Sequence, residues 1–235
     1  MILKTRLLGK TYAFRDIKDA LAKANEDKTG DRLAGLAAET AQERVAAKVV
    51  VASLLLSDLR EHPAVPYEED EVTRIIQDDV NEPQYTKIRN WTVSDLREWI
   101  LDEKTTGADI RRLSRGLTSE MVAAVAKLMS NLDLIYAAQK IRITAHCNTT
   151  IGLPGTLSCR LQPNHTTDDP DGILASTLEG LTFGAGDAVI GLNPVTDSAQ
   201  RVKEVLERFR EVKERWNIPT QTCVLAHVTT QMTAV

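Results

Sequence analysis

Arg160, Gln162 and Asn193 are the residues of this chain whose types and spacing best suit chemistry on a small polar molecule. Arg160 and Gln162 stand two apart in TLSCRLQPN, Thr156 to Asn164. Strand side chains alternate between faces, so Leu157, Cys159 and Leu161 fall on one face, and Thr156, Ser158, Arg160 and Gln162 on the other. A second stretch, DAVIGLNP from Asp187 to Pro194, ends on Asn193 in the same fashion. A guanidinium offers donors in a fixed fork, whereas a carboxamide both donates and accepts. Gathered at the carboxyl ends of neighbouring strands, where (β/α) folds carry their sites, these groups would hold a small polar substrate. Taken alone, Arg160 with Gln162 equally fits an ordinary polar pair in a barrel interior, and Asn193 fits a plain strand terminus before Pro194. Three such groups at matching strand ends favour binding, because burying them without partners costs free energy.

Other chemistry finds less support. His227 ends a third strand in the equivalent position, but no carboxylate or cysteine stands at a useful spacing, so it reads as a hydrogen-bonded structural residue outside the site. Gly184, Gly186 and Gly191 do not form the dinucleotide fingerprint, since no helix entry follows Gly184-Ala185-Gly186. Walker A, GxSxG and HExxH patterns are absent from the sequence. Cys147, Cys159 and Cys223 are widely spaced and odd in number, which reads as reduced thiols of a cytosolic protein. Their spacing matches no zinc site, and no metal ligand is assigned. The acidic run Glu68 to Glu71 reads as a solvated helix N-terminus, and the stripe of Met121, Val122, Val125, Leu128 and Met129 as core packing.

The elements that must position the candidate residues come late in the chain. From the start, Ile2 to Phe14 suggests a hairpin around Gly9 and Lys10, and Arg15 to Asn25 a helix. A further helix is expected after Asp31 as N-cap, and another from Ala41 to Leu55 with Val45, Ala46, Val49, Val50 and Leu54 as its apolar stripe. Val72, Ile75, Ile76 and Val80 continue helically until Pro83, and Thr92 with Asp95 offers a capping-box start for the next helix. Thr118 begins another. After Lys140 the pattern changes. An irregular connection, Ile141 to Thr150, leads to a strand Thr156 to Gln162, a helix around Ile173 to Leu181, and a strand Asp187 to Asn193. A helix Ala199 to Trp216 and a strand Thr220 to His227 follow, and Thr229 to Val235 resembles the opening of one more helix. This alternation predicts parallel pairing. The expected fold is therefore α/β: a helical N-terminal region over residues 1–150, then the first three units of a TIM (β/α)8 barrel over 151–235. Eight units take about 250 residues, roughly 31 each, so about five units would lie beyond Val235.

Composition agrees with a globular α/β protein. Hydrophobic residues make up 43% of the chain, enough for a core, and the net charge of -4 offers no attraction to nucleic acid or an anionic membrane surface. The apolar run Val49 to Leu56 is far shorter than the roughly 20 residues of a membrane span. Lys4, Arg6 and Lys10 interrupt the N-terminal apolar residues, so no signal peptide is expected.

A longer set of motifs adds to this reading. QERVAAK, RIIQDDVNE, GLTSEMVAAVAK, NTTIGLPGT, RLQPN, GDAVIGLNPVTD and NIPTQTCVLAHVTTQ resemble the large subunit of ethanolamine ammonia-lyase along essentially the whole chain. The resemblance implies a (β/α)8 barrel preceded by helices, using adenosylcobalamin, a cobalt cofactor, to convert ethanolamine to acetaldehyde and ammonia by radical chemistry. Carried over by position, it implies that Arg160 and Asn193 hold the substrate hydroxyl. It further implies that Gln162 helps hold the amino group, that Pro194 touches the cobalamin, and that Arg160 is catalytic through charge developing on the hydroxyl oxygen.

The same resemblance implies hetero-oligomers with a small subunit, a cytoplasmic location and frequent packaging in a bacterial microcompartment. No DxHxxG signature occurs, consistent with a cobalamin whose lower base is not replaced by a protein histidine. The family's carboxylates for the substrate ammonium lie on later strands, so these residues alone are expected to be inactive. The competing class is a catalytically inactive, truncated subunit that serves as an interaction protein through its helical part.

Overall fold

The computed structural model describes residues 2–234. The chain is α/β and divides into two compact units, Met1–Arg142 and Ile143–Val235.

The first unit opens with a hairpin of β1 (Leu3–Leu7) and β2 (Lys10–Phe14). Leu8 and Gly9 both take positive φ, 48° and 81°, which is what a two-residue loop matched to strand twist requires. Ten helices follow: α1 (Ile17–Lys23), α2 (Thr29–Leu33), α3 (Ala41–Ser53), α4 (Leu56–Glu61), α5 (Glu71–Asp78), α6 (Glu82–Ile88), α7 (Val93–Leu101), α8 (Gly107–Ser114), α9 (Ser119–Leu128) and α10 (Asn131–Lys140). Their starts are set by local side chains. Thr92 Oγ1 accepts from the Asp95 backbone N–H at 3.0 Å while Asp95 Oδ2 accepts from that of Thr92 at 2.8 Å, and Thr106 with Asp109 repeats the exchange. Asp70, the third residue of the acidic run, caps α5 by accepting from the Thr73 N–H at 2.7 Å. Leu56, Leu59, Ile88, Val93, Leu96, Met121 and Ala124 form the centre of the core.

Three expectations for this unit shift. α2 begins at Thr29 with Lys28 as N-cap, and Asp31 lies inside its first turn, where it accepts from Asn25 Nδ2 instead of capping. The buried face of α3 is Ala46, Ala47, Val50 and Val51, leaving Val45 and Val49 48% and 43% exposed, because the small alanines are what let neighbouring elements approach. Pro83 does not simply stop α5. It sits in the first turn of α6, where a missing N–H costs nothing.

The second unit begins with a short antiparallel ladder of β3 (Ala145–His146) and β4 (Thr150–Ile151), where an irregular connection was expected. Then come β5 (Arg160–Leu161), α11 (Pro170–Thr182), β6 (Val189–Leu192), α12 (Ala199–Arg215), β7 (Thr222–Val224) and α13 (Val228–Ala234). The last three strands form a parallel sheet in the order β5-β6-β7, with Arg160 beside Val189, Ile190 beside Thr222 and Gly191 beside Cys223. Ile190, Leu192 and Val224 turn one face toward the helices and pack with Ile173, Val202, Val205 and Phe209, with Leu161 against the edge of the cluster.

The strands are shorter than the alternation suggested. Leu157 is 101% exposed, and Thr156 to Cys159 lie outside β5, with pairing toward the β6 segment starting only at Cys159, whose carbonyl accepts from the Gly186 and Ala188 N–H groups at 3.2 and 3.1 Å. Trp216 also departs from the expected buried face of α12. It is the C-cap, 49% exposed, with the Arg215 guanidinium 5.0 Å from its ring centre.

The amino end of the sheet is closed by side chains from the β3–β4 ladder. Asn148 Nδ2 donates to the Thr220 carbonyl at 2.8 Å and Thr149 Oγ1 to that of Asp187 at 2.9 Å. Asp187 Oδ1 in turn accepts from the Cys159 N–H at 2.7 Å, which fixes the entry into β5.

Candidate functional site

Arg160 leaves β5 on the face opposite the helices. Its guanidinium lies over Gly191 of β6: a Cβ built on that glycine would stand 2.5 Å from Arg160 Nη2 and 2.8 Å from Cys223 Sγ of β7. Arg160 starts beside Val189, and its guanidinium reaches along the face to the next outward-facing pair, Gly191 and Cys223, where the glycine leaves room for it. Among the described residues the guanidinium has no hydrogen-bond or ion-pair partner, and Arg160 is exposed. A free guanidinium on a sheet face is a standing offer of donors to an oxygen-bearing ligand.

Gln162 and Asn193 follow directly after β5 and β6, and continued alternation assigns both to the face of Arg160. Both side chains are exposed. Their backbones are joined through Asn164, whose N–H donates to the Gln162 carbonyl at 2.9 Å and whose Oδ1 accepts from the Asn193 N–H at 3.0 Å. Pro194, half-buried, comes next, and beyond it Asp168 accepts from the N–H groups of Val195 and Thr196 at 2.9 and 2.7 Å.

Neither Asn164 nor Asp168 was singled out from sequence, although the cluster PNHTTDD after β5 carries the Asn and Asp residues that turns favour. Gly191, which belongs to no dinucleotide fingerprint, has another use. Its role is clearance for Arg160.

His227 Nδ1 lies 2.8 Å from Thr229 Oγ1, and its carbonyl accepts from the Gln231 N–H at 3.0 Å at the start of α13. His165, in the loop after β5, accepts on Nδ1 from the Asp169 N–H at 3.3 Å. Among the described residues no three His, Cys, Asp or Glu side chains cluster as metal ligands would, and no helix is long and apolar enough to cross a membrane.

At the amino end of the sheet the charged group is Asp187. The hydrogen bond from the Cys159 backbone holds its carboxyl below the ordinary aspartate range; desolvation opposes that shift, and a bond from Ser158 adds to it. Asp187 stands at the amino end, away from the rim where Gln162 and Asn193 emerge. A cavity of about 640 Å³ in the first unit is lined by Lys18, Arg60, His62, Tyr67 and Gln77 among others, and its cationic side chains are engaged within the protein. There Lys18 donates to the Ala64 carbonyl, while Arg60 pairs with Glu82 and stacks over Tyr85.

Residues 12–235 match the family model described as ethanolamine ammonia lyase large subunit (EutB). The chain belongs to this family. It is 57% identical over 235 residues to the ethanolamine ammonia-lyase large subunit of Salmonella typhimurium strain LT2, covering 100% of this chain and 52% of that protein. The large subunit of Escherichia coli K12 is 56% identical over the same 235 residues, again 52% of its length. The chain thus spans about half the length of the curated relatives it matches. Membership in the ethanolamine ammonia-lyase large-subunit family agrees with the motif run, which reaches from Gln42 to Gln231 and so draws on both units.

Proposed function

We propose that this chain is part of the large subunit of an adenosylcobalamin-dependent ethanolamine ammonia-lyase, and that Arg160, Gln162 and Asn193 hold ethanolamine during its conversion to acetaldehyde and ammonia. The observation that carries this reading is the unpartnered Arg160 guanidinium seated over Gly191, on the face from which Gln162 and Asn193 also emerge. Family membership supplies the substrate.

Parallel strands β5, β6 and β7, separated by α11 and α12, are the repeat from which (β/α)8 barrels are made. The outer edges of β5 and β7 carry unpaired backbone groups, which a closed barrel would satisfy. This supports residues 151–235 as the first three barrel units, with the helical region, residues 1–150, ahead of them.

Arg160 donates to the hydroxyl oxygen of ethanolamine and stabilises negative charge that develops there as the substrate rearranges. Asn193 shares that hydroxyl through its carboxamide. Gln162 Oε1 accepts from the amino group. The row along this face, from Arg160 through Val189 and Gly191 to Gln221 and Cys223, carries no carboxylate among the described residues, so the substrate ammonium has no counter-charge here. We therefore expect these 235 residues alone to release no ammonia.

The rim suits contact with one edge of the cobalamin: half-buried Pro194 and exposed Val195 present apolar surface on a backbone that Asp168 holds in place. Pro194 would make that contact, the other walls belonging to the rest of the large subunit and to the small subunit. When bound, the cofactor supplies the radical chemistry that starts the reaction. Hetero-oligomeric assembly, a cytoplasmic location and packaging in a bacterial microcompartment complete the reading, and rest on the family alone.

The test is ammonia release from ethanolamine and adenosylcobalamin by the large subunit containing this chain, assembled with its small subunit. Release by the assembly and none by the 235-residue chain is the expected result. Silence from the assembly would overturn the function, and release by the chain alone would overturn its incompleteness.

A further inference from the structure

We propose that Asn164 and Asp168 are positioning residues that hold Asn193 and Pro194 in their working orientation, an inference that rests on the substrate and cofactor roles given to those two residues. Every backbone N–H of the segment Asn193 to Thr196 is taken by a side chain of the loop after β5. Asn164 Oδ1 accepts from Asn193, Asp168 Oδ1 from Val195 and Asp168 Oδ2 from Thr196, while Pro194 has no N–H to satisfy. These partners are 27 to 29 residues apart in sequence, so they are struts between two loops, unlike a helix cap that serves its own turn.

Burial and backbone geometry point the same way. Asp168 is 0% exposed and holds a positive φ of 53°, a conformation that L-residues adopt at a cost and that Asp and Asn tolerate better than most. The cost is met where the carboxyl reaches two amides at once. Asn164 does a second job, since its own N–H donates to the Gln162 carbonyl. Gln162 and Asn193 are therefore braced through one intervening residue.

The result is a division of labour. The backbone of the rim is tied up within the protein, whereas the carboxamides of Gln162 and Asn193 are left without protein partners among the described residues and stay available to ligand. Holding reacting groups in place matters because a misplacement of about 1 Å can cost roughly 100-fold in rate.

The test uses Asp168→Asn, Asn164→Ala and Asn164→Asp. Asn at 168 keeps the size and tolerates the left-handed backbone, but turns an NH2 toward one of the two amides. Asp at 164 keeps the accepting oxygen, and Ala removes it. Amide hydrogen exchange on the 235-residue chain should speed up about tenfold or more at Val195 and Thr196 in D168N and at Asn193 in N164A, with the amides of α12 unchanged and N164D near wild type.

In the large subunit assembled with its small subunit, D168N and N164A should lower kcat/KM for ethanolamine by about 100-fold, while N164D stays within a few fold. Faster exchange with kcat/KM at the wild-type level would overturn the positioning role, and unchanged exchange would overturn the strut itself. Should D168N fail to fold, N164A against N164D at the exposed position decides. If the wild-type assembly released no ammonia, the proposed function would fall, and the exchange measurement would still judge the strut.

Discussion

The Arg160 guanidinium occupies the space that a side chain at position 191 would fill: a Cβ on Gly191 would lie 2.5 Å from Nη2 and 2.9 Å from Cζ. Both atoms belong to the far end of a flexible side chain, while Cys223 Sγ, 2.8 Å from the same Cβ, must also turn aside. Gly191→Ala should therefore be absorbed by Arg160 swinging away and the Cys223 side chain rotating, while the backbone stays as it is. The position has no positive φ, so the methyl adds no backbone strain. The expected outcome is a stability change of about 1 kcal/mol or less, with kcat/KM for ethanolamine in the assembled enzyme down by about 10- to 100-fold. Thermal melts and ammonia release measured side by side check this. A large loss of stability with normal turnover would mean that Gly191 serves packing alone.

Arg160→Ala removes a group that no protein atom among the described residues engages by hydrogen bond or ion pair. Stability should move by about 0.5 kcal/mol or less, as for other exposed positions. Turnover should fall by about 100- to 1,000-fold if the guanidinium stabilises charge on the substrate oxygen. Lysine should rescue it poorly, because an ammonium cannot reproduce the fork. Full activity in R160A would remove the residue from the site.

How much of this was legible in the sequence depended on the distance over which each feature is decided. The capping of α7 by Thr92 and Asp95 spans three residues and is written in the local order of side chains. In α3 the stripe holds at Ala46, Val50 and Leu54 and fails at Val45 and Val49, whose places on the buried face are taken by Ala47 and Val51. In β5 the alternation of Leu157, Cys159 and Leu161 satisfied a strand pattern, but a strand also needs a neighbour, and Leu157 has none. Asn164 and Asp168 were invisible for a related reason: their partners are 27 to 29 residues away and are backbone amides, which carry no sequence signature.

Phe209 and Trp216 lie seven positions apart on or beside α12 and should respond in opposite ways. Phe209 is among the largest fully enclosed side chains and packs under the sheet with Ile190 and Val224. Phe209→Ala should cost about 3 to 5 kcal/mol, through lost burial and the cavity left behind. Trp216→Ala should cost under about 1 kcal/mol, since the ring is half in solvent. Urea unfolding monitored on the second unit would separate them, and equal costs would contradict the burial of this helix face.

Asp187 gives the sheet an acid-sensitive edge, and its sign can be worked out. The bond from the Cys159 N–H, the largest cause, holds the folded-state carboxyl below its ordinary range, with desolvation opposing and Ser158 assisting. A group whose folded pKa is depressed contributes stability that is fully present above its unfolded value, about 3.9 for Asp. That contribution fades as pH falls through the folded value, when the carboxyl must take up a proton. Wild-type protein should thus lose stability between about pH 5 and pH 2 more steeply than Asp187→Asn, whose side chain has no charge to lose. The difference in melting temperature between the two should be largest near neutral pH and close in acid. A gap that stayed constant down to about pH 2 would show that the Cys159 bond does not depend on the charge of Asp187.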